Sequence, residues 1–135
     1  MDLFNRNRSI EKINELSPLT WAYVGDAVYE LYIRTYLTNT TQLKPHELHI
    51  KSIGYVKAQA QAEFLQKIDN ILTEEEKDIV RRGRNTQTHH TAKNATVQDY
   101  MYSTAFEALI GYLYLTKQDE RLNEILVQIY KEKNK

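Results

Sequence analysis

The chain has 135 residues, with 18 basic and 18 acidic side chains and a formal net charge of zero. With 41% hydrophobic and 27% charged residues, its composition is typical of one globular domain large enough to bury a core. The absence of cysteine excludes disulfides and thiolate-bound zinc or iron–sulfur centres. The first residues lack the long apolar segment of a secretory signal, and no apolar run reaches the ~18 residues of a membrane span.

The spacing of apolar residues predicts an all-α protein. Only 4 glycines and 2 prolines interrupt long helical patterns, and we expect one domain over residues 1–135 with about six to seven helices. Ser17 before Pro18 is a start signal for the second helix, and Thr73 before three acids predicts a capping box. The first predicted helix starts after Ser9, and the second runs from Pro18 to about Leu37. A third helical region covers Pro45 to about Asn70 with a break near residues 52–54, and the next helix extends from Thr73 to a C-terminal glycine at Gly83. The last two helices run from Val97 to about Thr116 and from Glu120 to Lys131.

An acid interrupts the most apolar of these helices. Residues 21–33 are almost wholly apolar or small, yet Asp26 lies in their middle. Residues three and four positions away share its helical face, among them Tyr23 and Glu30. Glu30 is also spaced to form an ion pair with Arg34. Burying an ionised carboxylate costs several kcal/mol unless a partner or a metal compensates it, so Asp26 is a candidate functional residue.

A second lone acid, Glu107, lies in the apolar stretch of residues 103–111. Both acids have small neighbours, Gly25 beside Asp26 and Gly111 one turn after Glu107, and small residues allow helix axes to approach closely. A crossing at these positions would bring the two carboxylates together, and hard oxygen ligands suit Mg²⁺ or Mn²⁺. Alternatively, each acid completes a buried hydrogen-bond network or pairs with an arginine.

A basic segment covers residues 79–98 and contains no acid before Asp99. Its cations and its Asn, Gln and Thr side chains can donate hydrogen bonds to phosphate oxygens, which is typical of contacts with a nucleic-acid backbone. A solvated loop with arginines that serve the helix dipole is the alternative. Lys51 and Lys57 add a thinner basic stripe that an ordinary helix surface also explains. The candidate nucleic-acid-binding residues are Arg81, Arg82, Arg84, Asn85, Lys93, Lys51 and Lys57.

The two acidic stretches resemble the ribonuclease III family. Tyr23–Glu30 resembles its signature helix, in which a phenylalanine or tyrosine, a Gly-Asp-Ala core and a downstream glutamate recur, and Phe106–Leu115 resembles its second acidic motif. The similarity extends over nearly the whole chain, including Lys44-Pro45 and the Arg82–Asn85 segment. Because the chain ends at Lys135, we expect no double-stranded-RNA-binding domain, and the subgroup this implies is Mini-ribonuclease III.

The resemblance implies an all-helical endonuclease domain that forms a two-fold homodimer in the cytoplasm. Such enzymes cut double-stranded RNA with Mg²⁺, for which Mn²⁺ can substitute, and leave 5′-phosphate and 3′-hydroxyl ends. The implied substrate is precursor 23S ribosomal RNA, trimmed at its paired ends in the context of ribosome assembly, with no membrane partner. Carried over by position, Asp26 and Glu107 are the catalytic residues and the metal ligands.

The chain departs from the longer enzymes of the family at two acidic positions. An acid is expected four residues before Asp26, where this chain has Ala22, and another three residues before Glu107, where it has Thr104. These departures leave at least one ion per site as the expectation. They also leave two other functions open. One is a catalytically silent dimer that binds double-stranded RNA, and the other is a helical adaptor for protein interactions.

Overall fold

The structure is a computed structural model that describes residues 4–86 and 96–133. Within these ranges every regular element is helical, in agreement with the predicted all-α class. None of these helices combines the length and the apolar character needed to cross a membrane. The helices are α1 (Ile10–Glu15), α2 (Pro18–Thr40), α3 (Pro45–Val56), α4 (Ala58–Ile68), α5 (Glu74–Asn85), α6 (Val97–Leu115) and α7 (Asp119–Lys133), with a 3₁₀ turn at Asp69–Ile71 after α4.

The predicted helix starts are confirmed by their caps. The Ser17 hydroxyl accepts a hydrogen bond from the backbone amide of Leu19, directly before Pro18 at the first position of α2. At α5, the Thr73 hydroxyl accepts from the Glu76 amide at 3.1 Å, and the Glu76 carboxylate accepts from the Thr73 amide at 2.9 Å. These side chains satisfy amide groups that have no partner inside the helix.

Three predicted boundaries were wrong. α3 continues through residues 52–54 to Val56, and the chain bends instead at Lys57, whose backbone is extended. α2 continues past Leu37 to Thr40. α5 continues past Gly83, which is therefore not a C-terminal glycine. The reason for Gly83 is packing, because a Cβ there would lie 2.9 Å from the Ala108 Cβ on α6.

α6 is the centre of the core. It is apolar nearly all round, which is typical of a helix enclosed on every side, and it packs against α2, α4, α5 and α7. Two edge-to-face aromatic pairs join α2 to α6, Trp21 with Tyr112 at 5.1 Å and Tyr29 with Phe106 at 4.9 Å between ring centroids. The rest of the fold holds these two helices in a fixed crossing.

A buried ion pair joins α5 to α7. The Arg121 guanidinium donates two hydrogen bonds of 2.8 Å to the Glu76 carboxylate and one of 2.6 Å to the Ile71 carbonyl. Burial alone would raise the pKa of Glu76, but the hydrogen bonds from Arg121 and Thr73 outweigh it and hold that pKa below its ordinary value.

Candidate active site

The two lone acids meet where α2 crosses α6. A Cβ on Gly25 would lie 1.8 Å from the Glu107 carbonyl oxygen, and a Cβ on Gly111 would lie 1.8 Å from the Trp21 carbonyl oxygen. The two backbones are therefore in direct contact, as the small residues predicted. Asp26 follows Gly25 immediately, and Glu107 precedes Gly111 by one turn, so both acids lie at the crossing.

The carboxyl groups of Asp26 and Glu107 hydrogen-bond each other. Asp26 is exposed and Glu107 is partly buried. Burial, followed by the negative charge of Asp26 and more weakly that of Glu30, raises the pKa of Glu107 to about 8. A second negative charge beside Asp26 is unfavourable without a compensating cation, so the protonated form of Glu107 is favoured at neutral pH.

This pair has the chemistry of a site for a hard divalent cation. Mg²⁺ commonly binds one or two carboxylates and retains several waters. A cation between Asp26 and Glu107 would replace the proton of Glu107 and offset the charge of Asp26, which contributes to the raised Glu107 pKa. Within residues 4–86 and 96–133, no three His, Cys, Asp or Glu side chains group into a larger metal site, so the residues present suit an ion that keeps most of its water.

One further polar atom nearby lacks a partner. The side chain of Gln61 on α4 is buried and hydrogen-bonds the Glu107 carboxyl group. Its Oε1 atom is buried and has no hydrogen-bond partner. An uncompensated oxygen beside a carboxylate pair is a further indication that a donor or a hydrated ion belongs there.

The two positions at which the resemblance led us to expect acids carry no carboxylate. Ala22 has no ligand atom and is buried. Thr104 is also buried, and its hydroxyl donates to the Tyr100 carbonyl at 3.0 Å. Asp26 and Glu107 are thus the carboxylates that lie at the crossing, with Glu30 one turn away.

The prediction of site residues did not include Glu30, which lies one turn after Asp26 on α2. Its charge contributes to the raised pKa of Glu107, and its carboxylate accepts a hydrogen bond from Arg34 at 3.3 Å, as predicted from their spacing. Its position four residues after Asp26 was the signal, since residues four apart share a helical face.

The candidate RNA-binding residues at the end of α5 differ in what they contact. Arg81 pairs with Asp78, its neighbour on the same helix, and Arg84 donates to the Asn85 side chain at 3.4 Å. Arg82 instead donates to the Asn14 carbonyl at 3.1 Å and lies over the Trp21 ring at 4.7 Å. Arg82 therefore joins α5 to the first two helices, a role that sequence spacing did not indicate.

This basic turn lies near the acid pair. Gly83 packs against Ala105 and Ala108, which flank Glu107 on α6. Lys51 and Lys57 are exposed. Lys57 lies one turn before Gln61, whose backbone amide donates to the Lys57 carbonyl at 3.1 Å. Lys93 lies outside the described residues.

Comparisons with known proteins identify the family of the chain. Residues 19–118 match the sequence profile of the Ribonuclease III domain. A Mini-ribonuclease 3 from Thermoanaerobacter is 51% identical over 125 residues, covering 90% of this chain and 88% of the relative. A Mini-ribonuclease 3 from Clostridium tetani is 46% identical over 126 residues, covering 90% of this chain and 83% of the relative.

A solved structure has the same fold. The crystal structure of a Fusobacterium nucleatum protein superposes with a TM-score of 0.80 at 35% sequence identity, covering 90% of this chain and 97% of that protein. The matched region includes both helices of the crossing, since α2 and α6 lie within residues 19–118 except for the first residue of α2. The chain therefore belongs to the ribonuclease III family of endoribonucleases that act on double-stranded RNA, and within it to the Mini-ribonuclease III group.

Proposed function

We propose that residues 1–135 form one catalytic domain that cleaves double-stranded RNA with Mg²⁺, held by Asp26 and Glu107. The observation that carries this proposal is the hydrogen-bonded carboxyl pair at the α2–α6 crossing, with the pKa of Glu107 raised to about 8. A pair that repels itself without a cation gains most from binding one. The family of the chain supplies the reaction type, phosphodiester hydrolysis.

The protein's part in the reaction follows from this pair. Glu107 gives up its proton before its carboxylate can serve as a ligand, and Asp26, which is exposed, faces the incoming RNA. When bound, a divalent ion supplies Lewis-acid chemistry, which polarises the scissile phosphate and stabilises charge on the leaving 3′-oxygen. Water attacks in line, and the products carry a 5′-phosphate and a 3′-hydroxyl.

The contacts with the duplex are proposed to come from basic residues of α3, of the turn before α4 and of the end of α5, and from Lys93. Double-stranded RNA is recognised through its phosphates, its 2′-hydroxyls and its shape, so exposed cations suffice without base-specific contacts. The end of α5 packs beside Glu107 through Gly83, which supports this role for its neighbours. The proposed contacts are Arg81, Arg84, Asn85, Lys51, Lys57 and Lys93, with Arg82 contributing only if its contact with Trp21 opens.

We propose a two-fold homodimer that uses the exposed face of α2. Tyr23 is 81% exposed and Leu31 is 60% exposed, and large apolar side chains grouped on one surface are typical of an interaction site. Tyr23 lies one turn before Asp26, so a two-fold contact there would put two carboxyl pairs near each other. Two sites on one particle are suited to cutting both strands of one duplex.

The proposed natural substrate is precursor 23S ribosomal RNA in the cytoplasm, cut at its paired ends during ribosome assembly. Its support is the resemblance to Mini-ribonuclease III over nearly the whole chain. A duplex made from those paired ends should be cut faster than a duplex of equal length and composition with shuffled sequence. Equal rates would remove the assignment of this substrate and leave the proposed duplex cleavage intact.

The experiment that tests the proposed function is incubation of the purified chain with an end-labelled RNA duplex, with Mg²⁺ or with a chelator. We expect cuts in both strands only with Mg²⁺, and no cuts in the single strand or in a DNA duplex of the same sequence. An RNA duplex that is bound but intact at every Mg²⁺ concentration would favour the silent binder. An uncut duplex that shows no salt-dependent affinity for the chain would favour the protein adaptor, which makes few phosphate contacts.

A charge-removing variant tests the proposed contacts between the basic residues and the RNA. The double substitution Arg81→Gln and Arg84→Gln should weaken duplex binding. It should also reduce the magnitude of the slope of log affinity against log salt by about two in total, because each phosphate contact releases about one counterion. Arg82→Gln alone should instead keep the wild-type slope and lower the free energy of unfolding, since Arg82 covers Trp21 in the folded chain. A double variant with the wild-type slope would show that these arginines do not contact the RNA.

A further inference from the structure

Gln61 is the most buried polar side chain close to the acid pair. It lies on α4 and is 2% exposed. Its Nε2 atom donates a hydrogen bond of 2.9 Å to the carbonyl of Val56, the last residue of α3. Its amide also hydrogen-bonds the Glu107 carboxyl group. Since an amide nitrogen carries two hydrogens, one group can serve both acceptors.

The oxygen atom of this amide lacks a hydrogen-bond donor. Gln61 Oε1 is buried and has no hydrogen-bond partner. Burying an acceptor without a donor is unfavourable, and a leucine or methionine at this position would avoid that cost. The Nε2 contacts explain why Gln61 is polar, but they do not explain the unmatched oxygen.

A hydrated divalent ion would supply the missing donor. The two atoms of one amide are separated by only about 2.3 Å, so Oε1 lies close to the Glu107 carboxyl group. An ion that keeps several waters presents their O–H groups as strong donors, and acceptors around such a site orient the ligands and tune the affinity. Gln61 Oε1 is an acceptor of this kind.

We propose that Gln61 is a positioning residue of the ion site, with Nε2 orienting the Glu107 carboxylate and Oε1 accepting a hydrogen bond from a water that completes the coordination of the ion. This inference rests on the proposed function, because it requires a divalent ion at Asp26 and Glu107. It adds a residue from a third helix, so that α4 joins α2 and α6 in building the site.

The test measures Mn²⁺ binding to the metal-free full chain. Electron paramagnetic resonance detects the Mn²⁺ that remains free. Gln61→Met keeps the volume and removes both the donor and the acceptor. We expect it to bind Mn²⁺ about tenfold more weakly than the wild type, as is usual when an outer-shell partner of a metal ligand is removed. Gln66→Met, on the exposed side of the same helix, is the matched control and should bind as the wild type does.

Asp26→Asn separates this inference from the proposed function. If the wild type binds Mn²⁺, Asp26→Asn does not, and Gln61→Met binds with wild-type affinity, then the ion site stands and the role of Gln61 is overturned. If the wild type binds no Mn²⁺, both are overturned together. Tenfold weaker binding by Gln61→Met with wild-type binding by Gln66→Met supports the inference.

Two further readouts exclude a merely structural role. Thermal unfolding of metal-free Gln61→Met should stay within a few degrees of the wild type, and its cleavage of duplex RNA should recover as the Mg²⁺ concentration is raised. Should that variant fail to fold, Gln61→Leu carries the same expectations. If neither variant folds, or if added Mg²⁺ restores nothing, Gln61 supports the core alone and the inference is overturned.

Discussion

Replacing Gly111 with alanine should lower the free energy of unfolding by about 2 kcal/mol or more. The added Cβ would lie 1.8 Å from the Trp21 carbonyl oxygen and 2.8 Å from the Gly25 nitrogen. Both neighbours are backbone atoms of α2, so no side chain can rotate away, and the two helices must separate. Overpacking commonly costs about 1–3 kcal/mol and occasionally more. A 1.8 Å contact with backbone atoms belongs at the top of that range or above it, so a net loss remains after the ~1 kcal/mol that alanine returns through helix propensity.

Urea unfolding followed by far-ultraviolet circular dichroism measures this effect. The control is Gln98→Ala in the first turn of α6, where the side chain is exposed and a change within about 0.5 kcal/mol is expected. Gly25→Ala should behave like Gly111→Ala, because its Cβ would meet the Glu107 carbonyl oxygen at the same distance. If Gly111→Ala unfolds at the wild-type urea concentration, the helices do not cross as closely as described.

Replacing Glu107 with glutamine should abolish duplex cleavage and, at the same time, stabilise the metal-free protein. The loss of cleavage should be at least about a hundredfold, since a bound ion contributes several kcal/mol to the transition state. Asp26→Asn should lose cleavage similarly. Loss of activity with a gain of stability is the expected signature of a site whose residues repel each other until an ion binds.

The gain in stability should depend on pH. The pKa of Glu107 is raised from an ordinary value of 4.5 to about 8, so the folded state favours the protonated acid. Below pH 4.5 Glu107 is protonated in both the folded and the unfolded chain, so it does not lower the free energy of unfolding. As the pH rises from 4.5 to 8, the unfolded chain releases the proton and the folded chain retains it, so the folded state loses stability. Glutamine removes this loss, which we expect to be worth about 1–3 kcal/mol at pH 8.

Thermal unfolding in the presence of a chelator, at pH 5 and at pH 8, measures this difference. The control is Glu15→Gln, an exposed acid on α1, which should change stability little at either pH. With saturating Mg²⁺ the order should reverse, because only the wild type gains stability from the ion. A Glu107→Gln variant that is less stable than the wild type in chelator at pH 8 would show that the carboxyl pair is not strained.

The fold could be predicted from local signals. Ser17-Pro18 and the Thr73 box determine how their helices begin through contacts within a few residues, and such contacts are visible in sequence. The crossing could be predicted because Gly25 and Gly111 accompany lone acids in apolar helices. Gly83 misled the prediction, since glycine after a basic turn is a typical helix end, whereas here it makes room for α6.

The parts of the site that escaped prediction depend on contacts between distant residues. Arg82 has the composition of an RNA-binding residue, but it contacts Asn14, 68 positions away. Gln61 lies in a helix whose pattern carries no unusual acid or base, and only the packing of α4 on α6 brings it to Glu107. Periodicity identifies which face of a helix is buried, but it does not identify which residue lies opposite.

The most direct test of the ion site is an anomalous difference map from crystals of the full chain soaked in Mn²⁺. We predict a peak at the α2–α6 crossing, within bonding distance of one carboxylate oxygen of Asp26 and one of Glu107, with Gln61 Oε1 bonded to a water of that ion. Crystals in which Asp26 and Glu107 still hydrogen-bond each other, with no peak between them at saturating Mn²⁺, would contradict the proposed mechanism.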